Sequence, residues 1–162
     1  MSRTTLIAFI ISLCAWQYSH AQAFSVHINQ LDSLMLHAPK PVLILLSTDW
    51  CSICASQKDI LRKHKRFHQL SPHFYFVEFN GESRERVIYQ GKEYFYRPSG
   101  VNVGSHELTQ HLNDNDKAAY PTWILLSPGY QQVFKQKGLL NVLQLDELLT
   151  AMEKTFVQQN KK

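Results

Sequence analysis

Five consecutive apolar residues, Val42 to Leu46, run almost directly into Trp50-Cys51-Ser52-Ile53-Cys54. An unbroken apolar run is the pattern of a strand buried on both faces, which needs covering layers above and below it. From Cys51 the periodicity changes. Ala55, Ile60, Leu61, Phe67 and Leu70 fall roughly on one side of a predicted helix, which Ser71-Pro72 stops. The first cysteine therefore stands where a buried strand gives way to a helix, and that junction points to an α/β layout.

The flanking segments agree. Gln30 to Ala38 carries Leu31, Leu34, Met35 and Ala38 at helical spacing before Pro39-Lys40-Pro41 ends it. Phe74 to Phe79 reads as a second strand, closed by Asn80-Gly81. Val87-Ile88-Tyr89 and Tyr94-Phe95-Tyr96 flank Gln90-Gly91-Lys92 as two short strands about a tight turn. Arg97-Pro98-Ser99-Gly100 is predicted to break the chain, and Ser105 to cap a helix through about Leu112 with Leu108 and Leu112 inward. Tyr120-Pro121 leads into a strand over 122–126, Ser127-Pro128-Gly129 turns, 132–135 returns, and Gly138 ends that hairpin. A last helix is predicted over 142–157. The order predicts a central mixed sheet flanked by helices, with parallel pairing early, antiparallel pairing late, and an inserted hairpin and helix before Pro121.

With 162 residues the chain fits one domain. Arg3, the apolar stretch Leu6 to Trp16 and the small residues near Ala21 and Ala23 predict a signal peptide over 1–23, leaving a domain over 24–162. The apolar stretch is short for a membrane span, although an uncleaved anchor through 6–16, with Trp16 and Tyr18 at the interface, is the alternative. Cys14 suggests lipidation, but Leu13 stands where such signals want a small residue. Removing 1–23 takes away Arg3 and no acid, which leaves 16 basic against 13 acidic residues. Apart from 62–66 and Lys161-Lys162 the charges are dispersed, and no stacking aromatic surface accompanies them, so nucleic acid is not an expected partner.

Cleavage at that point leaves Cys51 and Cys54 as the only cysteines. A bridge across three residues closes too small a loop to staple a domain, so the pair needs a chemical reason. A cysteine at a helix start meets unpaired backbone amides and the positive end of the helix dipole, which favour the thiolate. Cys51 has that place as nucleophile; Cys54, one turn on, is the resolving thiol. An inert buried pair and a zinc half-site are the alternatives. His64 and His68 follow at a spacing superficially like a zinc finger, yet on one continuous helix His64 would lie roughly 15 Å from Cys54, so both histidines are expected at the surface and no metal is implied.

With Val42 to Leu46 leading into Trp50-Cys51-Ser52-Ile53-Cys54, and Tyr120-Pro121-Thr122 later, the sequence resembles the thioredoxin superfamily. The resemblance runs from about Gln30 to Phe156. It implies a thioredoxin-like fold, a redox disulfide between Cys51 and Cys54, no cofactor, and protein disulfides or dithiols as substrates. It also implies that Pro121 is cis and lies against the sulfurs, leaving the Tyr120 backbone to pair with an extended substrate. Trp50 would stand beside the site, or else fill the core.

Two departures follow. Many thioredoxins carry a buried aspartate six residues before the first cysteine, where Leu45 stands here. Glu78, between Val77 and Phe79, is a candidate replacement for that proton relay, against the reading of an exposed strand residue. The stretch from Gly81 to Ala119 is longer than the corresponding connection and either shapes partner choice or covers a sheet edge. Neither Ser52 nor Ile53 is cationic, which argues against a strong oxidant and for a reductase in an exported, periplasmic setting, kept reduced by a membrane electron donor. A noncatalytic peptide-binding module on the same scaffold is the competing reading, and a metal carrier the third.

Overall fold

The computed structural model describes residues 25–115 and 117–159, with side chains through 154. The predicted signal segment and Cys14 lie outside them. A four-stranded sheet forms the centre: β1 (Val42–Ser47), β2 (Tyr75–Asn80), β7 (Thr122–Leu126) and β8 (Gln132–Lys137), in the order β2-β1-β7-β8. β1 pairs with β2 in parallel and with β7 antiparallel, and β7 pairs antiparallel with β8. Successive residues of β1 serve opposite faces, which is why the run has no polar member. Val42, Ile44 and Leu46 join one core cluster, Leu43 and Leu45 the other.

The second of these clusters is closed by α2 (Ser52–Lys63), α3 (Lys65–Leu70) and α5 (Val142–Gln159), which contribute Leu61, Phe67, Leu145, Leu148, Leu149 and Met152. The first is closed by α1 (Leu31–His37), supplying Leu31 and Met35, together with residues of the long connection after β2.

That connection is an integral layer of the domain. It holds β3 (Val87–Tyr89) and β4 (Lys92–Tyr94), then β5 (Tyr96–Gly100) and β6 (Val103–His106), and then α4 (Glu107–Leu112). Val87, Tyr89, Tyr94, Leu108 and Leu112 are all buried against α1 and the sheet. Polar side chains before β1 tie it down. Asn29 Oδ1 accepts from the Ile88 amide at 2.8 Å, and Asp32 accepts from the Gly91 amide at 3.0 Å and from the Tyr130 hydroxyl at 2.7 Å.

Four sequence expectations need correction. The helix after Cys51 is not continuous to Leu70: His64, at φ −83° and ψ 97°, ends α2 and caps α3 by accepting the Phe67 amide at its Nδ1. His64 is accordingly buried, not at the surface, and its Nε2 lies 3.4 Å from Asp146. The ring is buried at the junction where α2 gives way to α3.

The predicted break over Arg97 to Gly100 is instead a strand, β5, paired antiparallel with β6. Pro98 faces Gly104, and the register slips between Pro98 and Gly100 because a proline offers the ladder no N–H. Gly104 permits the close pairing: a Cβ there would lie 2.4 Å from the Arg97 carbonyl oxygen and the Tyr96 ring. Finally, Ser105 does not cap α4; it sits in β6, and the cap is His106, whose Nδ1 accepts from the Leu108 amide at 3.1 Å. The first hairpin is also one step tighter than read, with Tyr89 opposite Lys92 and a two-residue turn at Gln90 and Gly91.

Candidate redox site

β1 ends at Ser47, and Thr48-Asp49-Trp50 carries the chain across the end of the sheet to Cys51, the N-cap of α2. The crossing is held against the end of β2. The Gly81 amide donates to the Ser47 carbonyl at 2.8 Å, and the Asn80 side-chain amide to Asp49 at 3.0 Å. The Trp50 indole N–H donates to Glu82 at 3.0 Å. Strand pairing thus fixes where the helix starts.

Cys51 and Cys54 are joined by a disulfide, with an S–S distance of 2.13 Å. Sγ of Cys51 accepts the Cys54 amide N–H at 3.1 Å, so the sulfur itself caps the helix. Cys51 keeps 8% of its surface in solvent, whereas Cys54 is fully buried. Around the pair stand exposed Trp50 and Ile53. Trp50 is therefore a rim residue and not core.

The Trp50 ring meets Tyr120 edge-on, centroids 6.2 Å apart, which brings the Tyr120-Pro121 loop to the motif. The Tyr120–Pro121 peptide is cis, and the Pro121 carbonyl accepts the Gly138 amide at 2.8 Å. Tyr120 lies across Gly81, whose hydrogen leaves the space that the ring occupies: a Cβ at 81 would sit 2.1 Å from the Tyr120 hydroxyl oxygen. Burial pushes the Tyr120 hydroxyl above its ordinary pKa, and the charge of Glu82 adds to the rise.

Glu78 is in register with Leu45 and on the α2 side of β2, since Val77 and Phe79 point into the opposite cluster. As the competing reading had it, Glu78 is an exposed strand residue, and it is ion-paired with Lys58, which lies one helical turn beyond Cys54. Leu45 itself is packed in the core.

One residue of the site was missed by sequence reasoning. Gln57 is completely buried in α2, where its Oε1 accepts from the Leu140 amide at 2.7 Å and from the Trp123 indole at 3.3 Å. Its Nε2 donates to the Leu140 carbonyl at 3.2 Å. The helix bearing the cysteines is thereby pinned to β7 and to the turn before α5. The signal was a polar residue on the stripe that Cys54 and Leu61 define, at i+3 and i+7. His68, in contrast, is exposed. Among the described residues no three or more His, Cys, Asp or Glu side chains converge as a metal site, and no helix is long and apolar enough to cross a membrane.

No family model matches the sequence, and no curated protein matches it either. Solved structures do. Chloroplastic thioredoxin z aligns over 80% of this chain and 93% of its own, at 13% identity and a TM-score of 0.52. The germline-specific thioredoxin Deadhead of Drosophila melanogaster aligns over 79% of this chain and 99% of its own, at 11% identity and a TM-score of 0.52. At such identity the likeness is one of fold. The chain has a thioredoxin-like fold.

Proposed function

We propose that the chain is a thiol:disulfide oxidoreductase acting on protein substrates, with Cys51 as nucleophile and Cys54 as resolving thiol. The observation that carries this reading is the Cys51 sulfur at the first turn of α2, hydrogen-bonded to the Cys54 amide, in a residue that keeps 8% of its surface in solvent while Cys54 keeps none. An amide N–H and a helix N-terminus stabilise a thiolate more than a thiol, so the reduced protein presents a nucleophile there.

In the reducing direction, the Cys51 thiolate attacks one sulfur of a substrate disulfide. A Cys51–substrate bond forms, and the other substrate sulfur leaves as a thiolate that takes a proton. Cys54 then loses its proton and attacks Cys51 Sγ; the second substrate thiolate leaves, and the protein ends as the Cys51–Cys54 disulfide. Two electrons have passed to the substrate. Regeneration requires an external dithiol or equivalent donor, which a membrane protein would supply in an exported, periplasmic compartment. That location rests on the basic and apolar pattern over 1–23.

Reduction is favoured over strong oxidation because Ser52 and Ile53 add no cation to the first turn, while the carboxylates of Asp49 and Glu82 flank the motif. Glu78, with Lys58, is the candidate group to take the Cys54 proton, and the cis Tyr120–Pro121 loop the candidate support for an extended substrate. The reading is tested by insulin-disulfide reduction with dithiothreitol as donor: the protein should accelerate it, and Cys51→Ser should not. A wild-type protein that accelerates nothing, while it and Cys51→Ser hold the same partners, would mark a peptide-binding module.

A further inference from the structure

Trp50, one residue before Cys51, is 68% exposed, yet its ring is held on two sides. The indole N–H donates to Glu82 at 3.0 Å, and the ring meets Tyr120 edge-on with centroids 6.2 Å apart. One contact comes from the turn after β2 and the other from the cis-proline loop, so two distant parts of the chain present a single aromatic ring to solvent. A ring already fixed in place loses little freedom when a partner covers it. Ile53, two residues beyond Cys51, is 53% exposed as well, so in sequence the reactive cysteine stands between two apolar side chains open to water.

The charge beside that ring is negative. Glu82 sits at its N–H edge, and Asp49, the residue before Trp50, accepts from the Asn80 side-chain amide at 3.0 Å. Both donors are neutral, and among the described residues no lysine, arginine or histidine forms an ion pair with either carboxylate. Arg84, the cation nearest Glu82 in sequence, lies instead over the Tyr96 ring, 5.4 Å from its centre. The charge of Glu82 is felt close by, where it adds to the rise in the Tyr120 hydroxyl pKa. An indole face attracts a cation through its ring quadrupole, and a carboxylate at the edge of the same ring attracts the same cation.

We propose that Trp50 and Glu82 form a subsite for an arginine or lysine side chain of the substrate protein, one or two residues from its reacting cysteine. The subsite deepens the oxidoreductase reading and rests on it. Covalent geometry sets the position. The two cysteines of a mixed disulfide have Cα atoms about 4.4–6.8 Å apart, and the next residue on each chain is about 3.8 Å further on. Trp50 is that next residue here, so a substrate residue one or two places from the cysteine comes within a long side chain's reach of the indole. The aliphatic stem covers the ring, and the cationic head reaches Glu82.

The test uses ten-residue peptides, each with one cysteine held as a mixed disulfide with 2-thiopyridine. Arginine or citrulline occupies one of the two positions before or the two positions after the cysteine; citrulline keeps the length and planarity of arginine without its charge. Reaction with the reduced protein at low salt is followed by the absorbance of released thiopyridone. At one or more of these positions arginine should outpace citrulline by about five- to tenfold, the sum of an exposed cation–π contact and an exposed ion pair. Arginine beside a disulfide speeds attack by any thiolate, so the variants isolate the subsite. Glu82→Gln, which keeps an acceptor for the indole N–H, and Trp50→Leu should each cut the arginine advantage by at least half. An advantage below about threefold at every position, or one that either variant leaves above half its size, overturns the proposal.

Reaction with 2,2′-dithiodipyridine, small and uncharged, reads the thiol chemistry alone and normalises the rates of wild type and variants. Should the reduced wild-type protein not react with it, the oxidoreductase reading fails separately. The subsite is then judged on the oxidised protein by fluorescence anisotropy of the same peptides, dye-labelled and with Ser for Cys. Arginine peptides that bind more tightly than citrulline ones, with the difference lost in Glu82→Gln, support it. Equal binding, or a difference that Glu82→Gln keeps, refutes it.

Discussion

The backbone nitrogen of Cys54 lies 3.1 Å from Sγ of Cys51, so the partner cysteine contributes a hydrogen bond to the more accessible sulfur through its main chain while its own side chain is completely buried. The two thiols of the reduced protein are therefore unequal in access as well as in electrostatics. Iodoacetamide at neutral pH should modify Cys51 at least about tenfold faster than Cys54. Peptide mapping after timed quenching measures both, and equal labelling would remove the assigned division of roles.

Cys54→Ala should stop the reaction at the mixed disulfide, because no second sulfur remains to displace the substrate from Cys51. Non-reducing gels of the variant incubated with oxidised insulin should show a covalent adduct that dithiothreitol dissolves, and Cys51→Ser should show none.

Gln57→Leu should destabilise the fold by about 3 kcal/mol, since it leaves the Trp123 indole and both main-chain polar groups of Leu140 without their buried partner. Urea unfolding followed by Trp fluorescence reads the loss. A change under about 1 kcal/mol would mean that water replaces the lost bonds.

Gly81→Ala drives a methyl into the Tyr120 ring and should cost about 1–3 kcal/mol through overpacking. Tyr120 touches Trp50, so turnover on protein substrates should fall as well. The double variant Gly81→Ala with Tyr120→Leu should recover stability relative to the single one; strict additivity of the two changes would contradict the contact.

His106 gives the domain a pH dependence of known sign. Its Nδ1 accepts the Leu108 amide and its Nε2 donates to the Glu85 carbonyl at 3.0 Å, so the buried ring is neutral. Burial holds its pKa below the ordinary value, against the opposing pull of the Glu85 carbonyl and the charges of Glu107 and Glu85. The unfolded chain takes up this proton near about pH 6.5 and the folded one only at lower pH. The contribution is thus complete above that pH and falls away on acidification. Urea midpoints should drop between pH 7.5 and 5, and His106→Gln should flatten that slope; an unchanged slope would refute the assignment.

Much of the architecture was legible because it follows from local periodicity. The two-faced burial of Val42 to Leu46, the change to helical spacing at Cys51, the strand at 122–126 and the last helix all appear where the pattern places them. The errors sit where a side chain made a contact remote in sequence or reshaped the backbone. His64 interrupts a helix that periodicity carries straight through, and Arg97 to Gly100 is a strand only because β6 returns beside it with a glycine opposite the proline.

What the order of residues determined is the strand-to-helix junction and the spacing of the two sulfurs along one turn, both consequences of interactions within a few residues. Only the folded chain decided that Trp50 faces solvent against Glu82 and Tyr120, that Gln57 rather than an apolar side chain locks α2 in place, and that the residues after Gly81 build a layer of the core. Each of these depends on groups brought together from distant positions. Their energies come from burial and from hydrogen bonds closed across the core, which leave no periodic trace in the sequence.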